Sequence, residues 1–250
     1  MVSNPRVAVI TAAGGPMGSA IARRLSNLGY AVALNDRSAR RLSVIAQELE
    51  GAHGRVLPIA GDATSREVAR ALTAAALEEW GRVDGLVNVA GGVHGPLNVP
   101  LEDITDEDWH RTIDFNLSSA FVWMQEAGRV MLAAGSGRIV NIGSTSWSGS
   151  PDRSHYAAAK AGLVALTRSA ATQWARRGVN VNIVVPGATT TTVADRGDGT
   201  WVQNWASHNP LGRPNNPEDI ADSVEFLVSK ASRNITGQVL TVAGGLNPSL

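Results

Sequence analysis

The sequence predicts an α/β fold: one doubly wound parallel sheet of about seven strands, with helices on both faces. Three observations carry this. Short β-branched runs alternate with helix-length segments over most of the 250 residues. The runs are nearly continuous in apolar residues, as suits strands buried on both faces. No Pro/Gly/Ser linker, low-complexity tract or internal repeat divides the chain, so the strands and their crossover helices are expected to form one domain over residues 1–250.

The strand runs, in order, are RVAVIT (6–11), AVALN (31–35), RVLPIA (55–60), GLVNVA (85–90), RIVNIG (138–143), VNIVV (181–185) and QVLTVA (238–243). Helix starts are marked between them. Thr105 with Asp108 three residues on resembles a capping box, and Asn216-Pro217 sets a cap before a proline at the first helical position. Residues 187–209 break the pattern, being rich in Thr, Gly and Asp and without clear periodicity. An irregular stretch of that length reads as a substrate loop or lid.

Composition narrows the function classes. Lys+Arg and Asp+Glu are both 22, so no general attraction to nucleic acid or anionic membrane is implied. There is no cysteine, which excludes disulfides, thiolate metal sites and a cysteine nucleophile, and no metal is expected. No apolar segment approaches the ~18 residues of a membrane helix, and the first residues carry no signal-peptide core. The expectation is a cytoplasmic protein with a small-molecule partner.

The first strand runs into ITAAGGPMGSAIARRL (10–25), a glycine turn that departs from G-x-G-x-x-G. In a doubly wound sheet this turn holds a pyrophosphate on backbone N–H groups at a helix N-terminus. Gly14 and Gly15 are expected to supply positive-φ conformations and bare backbone, and Gly18 close packing of helix on strand. Pro16 fits the first helical position, where its missing N–H would have had no intrahelical partner. The remaining N–H groups around Met17 and Gly18 are the expected phosphate donors. The second strand ends at Asp36, placed to bind adenosine ribose hydroxyls and repel a 2′-phosphate; Arg37 beside it could pair with that phosphate. NAD is preferred over NADP on this reading.

The acid–base signal lies in NIGSTSWSGSPDRSHYAAAKAGL (141–163). Tyr156 and Lys160 are four apart in an Ala-rich helical segment and so share a face. A free phenol, with a pKa near ~10, is a poor proton shuttle at neutral pH, and a nearby ammonium lowers that value. Ser144, at the end of a strand, could donate to a substrate carbonyl oxygen.

With these residues the chain resembles, from end to end, the short-chain dehydrogenase/reductase family in its single-domain form. The matching segments are TAAGGPMG, GDAT (61–64), NVAGG (88–92), DFNLSSAF (114–121), Ser144 with YAAAK (156–160), VPGATTT (185–191), NPLGRPNNPEDIA (209–221) and ITGQVLTVAGG (235–245). The resemblance implies a Rossmann-type sheet, an NAD(P)-dependent oxidoreductase and a homo-oligomer, most often a tetramer. It implies Tyr156 as general acid/base, Lys160 as the group that acidifies it and binds the nicotinamide ribose, and Ser144 as the residue that orients the carbonyl. Asn116 would hold a water in the proton relay. Asp62, with Ala63, would contact the adenine; Asn88, Ala90 and Gly91 would line the cofactor trough; Pro186, Gly187, Thr189 and Thr191 would fix the nicotinamide. Departures are Ala12 and Pro16 in place of two expected glycines, a Ser144-to-Tyr156 interval one residue short (leaving Ser146 as a substitute donor), and Ala243 where an aspartate is common.

The substrate pocket is expected between GVHGP (92–96), Ser146-Trp147 and the loop with Trp201 and Trp205. Trp147 could stack on a substrate or pack in the fold; Trp201 and Trp205 could cover an apolar substrate or pack on the lid. His94 could bond a polar substrate or lie on the loop surface. A 3-oxoacyl thioester and a polyol or sugar-type alcohol both suit these features. A rival of another class is a cofactor-binding regulatory or scaffold protein without turnover, hinted at by the altered glycine turn alone.

Overall fold

The computed structural model describes residues 5–53, 55–191 and 207–246. Within them lies one seven-stranded sheet, all parallel, in the order β3-β2-β1-β4-β5-β6-β7. The strands are β1 (Val7–Ile10), β2 (Ala31–Asp36), β3 (Val56–Ala60), β4 (Gly85–Asn88), β5 (Gly137–Ile142), β6 (Val179–Pro186) and β7 (Val239–Val242). Each strand falls on an apolar run named above. The chain reverses its winding between β1 and β4, and there the strand ends open a crevice.

The helices follow from the same physics. They are α1 (Pro16–Asn27), α2 (Ala39–His53), α3 (Arg66–Trp80), α4 (Asp106–Ile113), α5 (Ser119–Ala134), α6 (Ser154–Trp174) and α7 (Pro217–Val228). Thr105 caps α4 by accepting the Asp108 N–H at 3.1 Å, and Asn216 with Asp219 completes a capping box on α7. Pro16 opens α1 directly after its cap, Gly15. Successive side chains of β1 take opposite faces. Ala8 and Ile10 pack with Ile21 and Leu25 of α1 and Ile220 and Val224 of α7; Val7 and Val9 pack with Leu72 of α3 and Trp123 and Met131 of α5. Trp123 is fully buried and donates its indole N–H to the Ala63 carbonyl at 2.9 Å.

Between α4 and α5 the chain widens into a π turn, Asp114–Ser118, a rare geometry that often marks functional sites. Among the described residues no helix is long and apolar enough to cross a membrane.

Candidate active site

The glycine turn keeps its shape by an unexpected route. The positive φ assigned above to Gly14 and Gly15 falls on Ala12, at +50°, while Gly15 is extended at −85°. Gly14 and Gly18 matter for their missing side chains. A Cβ on Gly14 would stand 2.7 Å from Arg41 Cβ and 3.0 Å from Asp36 Oδ2; one on Gly18 would stand 2.1 Å from the Ala12 carbonyl oxygen. A left-handed φ costs an L-residue about 1 kcal/mol or more that glycine escapes. Ala12→Gly is therefore expected to raise the melting temperature by roughly 2–4 °C for a chain of this size, read by calorimetry. An unchanged or lower value would show that the turn is not strained at this position.

Asp36 closes the same corner. Its buried carboxylate accepts the Gly14 N–H at 3.0 Å, the Ser38 N–H at 2.7 Å and an Arg41 N–H at 3.1 Å. Arg37 stays exposed. At the end of β3, exposed Asp62 accepts from the backbone and hydroxyl of Thr64, both at 2.8 Å, and the backbone bond holds its pKa below the usual carboxylate value. Thr11 fixes the loop after β4: its hydroxyl accepts the N–H groups of Val89 and Ala90 at 2.9 and 3.0 Å.

The acid–base residues converge at the ends of β5 and β6. Ser144, Ser146, Tyr156, Pro186, Gly187, Thr189 and Thr191 line one cleft, which Met17 from the start of α1 also lines. The Ser144 hydroxyl accepts the Ser146 N–H at 3.2 Å, which leaves its own proton to donate, and it lies close enough to Tyr156 to favour the phenolate. Burial pushes the Tyr156 phenol above its ordinary value; Ser144 and the charge of Arg153 act against this. Lys160 lies one turn deeper, with Nζ donating to the Ile142 carbonyl at 2.9 Å and 5.6 Å from the Tyr156 ring centroid. Burial lowers its pKa from 10.5 to about 7. The groups that favour the phenolate are thus Ser144 and Arg153, whereas the sequence pointed to the lysine ammonium.

This has a measurable consequence. Between pH 7 and 10.5 the unfolded chain keeps the Lys160 proton that the folded chain has released. Stability therefore rises with pH through that window. Lys160→Met should remove on the order of 2 kcal/mol of the gain between pH 7 and 9, measured by urea unfolding of both proteins. Equal gains in both would mean the lysine is charged in the folded state.

Asn116 sits in the π turn, fully buried. Its amide donates to the Gly92 and Thr112 carbonyls at 2.7 and 2.8 Å, and its oxygen accepts the Gly92 N–H at 2.9 Å. Its side chain therefore ties the loop after β4 to α4, and only the second lone pair of Oδ1 or its backbone carbonyl remains for a relay. Gly91 is pinched between this oxygen and Lys160 Nζ: a Cβ there would lie 2.7 and 2.9 Å from them.

Several expected positions face elsewhere. Asn88 is buried in a polar ladder, donating to Asn141 at 2.8 Å, which donates in turn to Thr167 at 2.9 Å. Its side chain points into the α5–α6 layer, and only its backbone stands near the trough. Ala90, in the loop after β4, is buried. Trp147 is half-buried and packs against the cluster that holds Ala120, Leu163 and Ile183. The His94 ring meets Phe115 edge-on at 5.3 Å, and its backbone N–H bonds Thr112. It does not line the cleft with Ser144 and Tyr156. His155 is buried, with Nε2 3.3 Å from the His94 carbonyl oxygen. Trp201 and Trp205 lie outside the described residues. The sequence reading missed Arg153 and Thr145, which line the cleft, and Thr11. Arg153 stands three residues before Tyr156 in the quoted motif, and that spacing was the available signal.

The sequence model of a family described as enoyl-(acyl carrier protein) reductase matches residues 12–247. The chain is 37% identical to a cis-4-hydroxycyclohexanecarboxylate dehydrogenase of Sinomonas cyclohexanicum, over 96% of both chains. It belongs to the short-chain dehydrogenase/reductase family. It is also 33% identical to a 3-oxoacyl-[acyl-carrier-protein] reductase of Thermotoga maritima, over 96% of this chain and 97% of that one. The crystal structure of levodione reductase superposes with a TM-score of 0.90 at 28% identity, covering 96% of each chain. This short-chain dehydrogenase/reductase is thus an oxidoreductase that transfers hydride between a nicotinamide cofactor and a carbonyl or alcohol. Its residues fit such a cofactor. Helix geometry leaves the Met17 and Gly18 N–H groups without intrahelical acceptors, Gly14 and Gly91 lie where side chains would collide with Asp36 and Lys160, and Asp36 is anchored beside the turn.

Proposed function

We propose that the protein interconverts a secondary alcohol and a ketone with NAD as the preferred cofactor, using Tyr156 as the proton donor and acceptor. The observation that carries this is the convergence of Ser144, Tyr156 and Lys160 at the end of β5, beside the cleft that Met17 also lines. The nicotinamide supplies or accepts the hydride. In reduction, Ser144 donates a hydrogen bond to the carbonyl oxygen, and the Tyr156 O–H gives that oxygen its proton as the C=O π electrons move onto it. In oxidation Tyr156 takes the alcohol proton back. The raised phenol pKa keeps Tyr156 protonated, the form reduction needs. Lys160, near half-protonated at neutral pH and buried behind Tyr156, binds ribose hydroxyls and returns the proton, with Asn116 holding the relay's entrance.

Gly14, Gly15, Met17 and Gly18 hold the pyrophosphate; Asp36 takes the adenosine ribose; Asp62 and Ala63 take the adenine; the backbone at Asn88, Ala90 and Gly91 and the segment Pro186, Gly187, Thr189 and Thr191 flank the rest. The preference for NAD rests on the Asp36 carboxylate, fixed by the Gly14 N–H and already paired with Arg41. Arg37, exposed beside it, is the feature that would favour NADP. Residues 187–209 act as the substrate loop of a single domain, and the assembly is a cytoplasmic homotetramer. A 3-oxoacyl thioester and a polyol or sugar-type alcohol are the substrate classes; the similarity to a 3-oxoacyl-[acyl-carrier-protein] reductase supports the first.

A panel of ketones and secondary alcohols run with NAD(H) and NADP(H) tests the reading. Turnover with NAD(H) preferred is expected, together with tighter NADH than NADPH binding in a fluorescence titration. Absent binding of both cofactors would end the proposal, and a preference for NADPH would overturn the role of Asp36. Size-exclusion chromatography with light scattering reads the assembly.

A further inference from the structure

The cleft contains a cation that the acid–base chemistry leaves without a partner. Arg153 precedes α6, and its backbone is fixed by the N–H bond to the Ser150 carbonyl at 3.2 Å and by its own carbonyl accepting from Ala157 at 2.9 Å. Its side chain does not cap the helix; it lines the cleft together with Ser144, Ser146 and Tyr156. Nε is shut off from solvent and meets no acceptor among the described residues. Nor does Arg153 pair with any described carboxylate, whereas Asp36, Glu48, Asp84, Glu126 and Asp219 each lie against another arginine. The described walls of the cleft hold no Asp or Glu. Arg153 is half-buried, and a guanidinium that lines a cleft with no carboxylate partner among the described residues points to an anion that arrives with the ligand.

We propose that Arg153 anchors a carboxylate on the substrate, so that the enzyme acts on hydroxy acids and their oxo counterparts. A guanidinium presents a planar fork that matches a carboxylate bidentately, and one cation balances one such charge. The neighbouring hydroxyls of Thr145 and Ser146 add neutral hydrogen bonds. The reacting carbon then lies between Ser144 and Tyr156, with the carboxylate toward the N-terminal end of α6. This deepens the oxidoreductase reading and rests on it, and it favours a small hydroxy acid over a long acyl thioester.

The test compares short linear and cyclic hydroxycarboxylates with their own methyl esters, in the wild type, Arg153→Gln and Arg153→Lys. The readout is the ratio of kcat/KM for acid over ester. In the wild type the acid should lead by at least about tenfold. In Arg153→Gln the ratio should collapse toward one, chiefly through KM for the acid, and Arg153→Lys should recover part of it. A wild-type ratio near one overturns the proposal. So does a ratio kept in Arg153→Gln while both rates fall together, which would mean that Arg153 acts through Tyr156 acidity or through the fold. Calorimetric titration of the same acids and esters into Tyr156→Phe, with and without cofactor, reads the anchor independently of turnover. Preferential acid binding with no turnover in the wild type would overturn the oxidoreductase reading and leave the anchor standing; equal binding of acid and ester would overturn the anchor alone.

Discussion

Tyr156→Phe is expected to lower kcat by about 10²–10⁴-fold, the range that a positioned general acid or base supplies. The ring stays, so its packing and the shape of the cleft stay with it. What disappears is the phenol hydroxyl beside Ser144, the group proposed to carry the proton to the substrate oxygen. Cofactor affinity, read by fluorescence titration, should be essentially unchanged, because the proposed pyrophosphate and ribose contacts lie at the glycine turn, Asp36 and Lys160. A parallel loss of turnover and cofactor binding would mean that the hydroxyl supports the site rather than acting in the reaction. The kinetic and binding measurements together separate these cases.

Gly18→Ala should destabilise the fold by more than about 3 kcal/mol, against the direction that helix propensity gives. Alanine is the better helix former, so an open position on α1 would gain from the change. Here the added Cβ would lie 2.1 Å from the Ala12 carbonyl oxygen and 2.8 Å from Ala13 Cα. Both are backbone atoms and cannot swing aside as a side chain can. The first turn of α1 would have to lift from the end of β1, and the Met17 and Gly18 N–H groups would move with it. The urea midpoint should fall clearly, and cofactor affinity should fall in the same preparation. A midpoint equal to the wild type would show that the turn has room that the coordinates deny.

The Tyr156–Lys160 pair was legible because it depends on one local rule. Residues four apart on a helix share a face, so Tyr156 and Lys160 meet whatever the rest of the chain does. Ser144 was legible because it follows an apolar strand run. Asn88 and Trp147 illustrate the opposite case. Each has the right position along the chain, but side-chain direction depends on which face of the sheet a residue takes and what packs there. Asn88 turns to Asn141 and Trp147 to the cluster that holds Leu163. Ala12 is a third kind: the turn needed one left-handed residue, and the two glycines nearby misled, because they are required for clearance instead.

The sequence by itself determined the strand runs, the helix caps at Thr105 and Asn216, the parallel sheet and the chain positions of the acid–base trio, since these follow from local periodicity and steric preference. Only the tertiary structure decided the electrostatics of the site: the low pKa of Lys160, the raised phenol of Tyr156 and an Arg153 with no carboxylate partner among the described residues. Those depend on burial and on neighbours far apart in the chain. Desolvation is a property of the packed molecule, and no local pattern of residues encodes it.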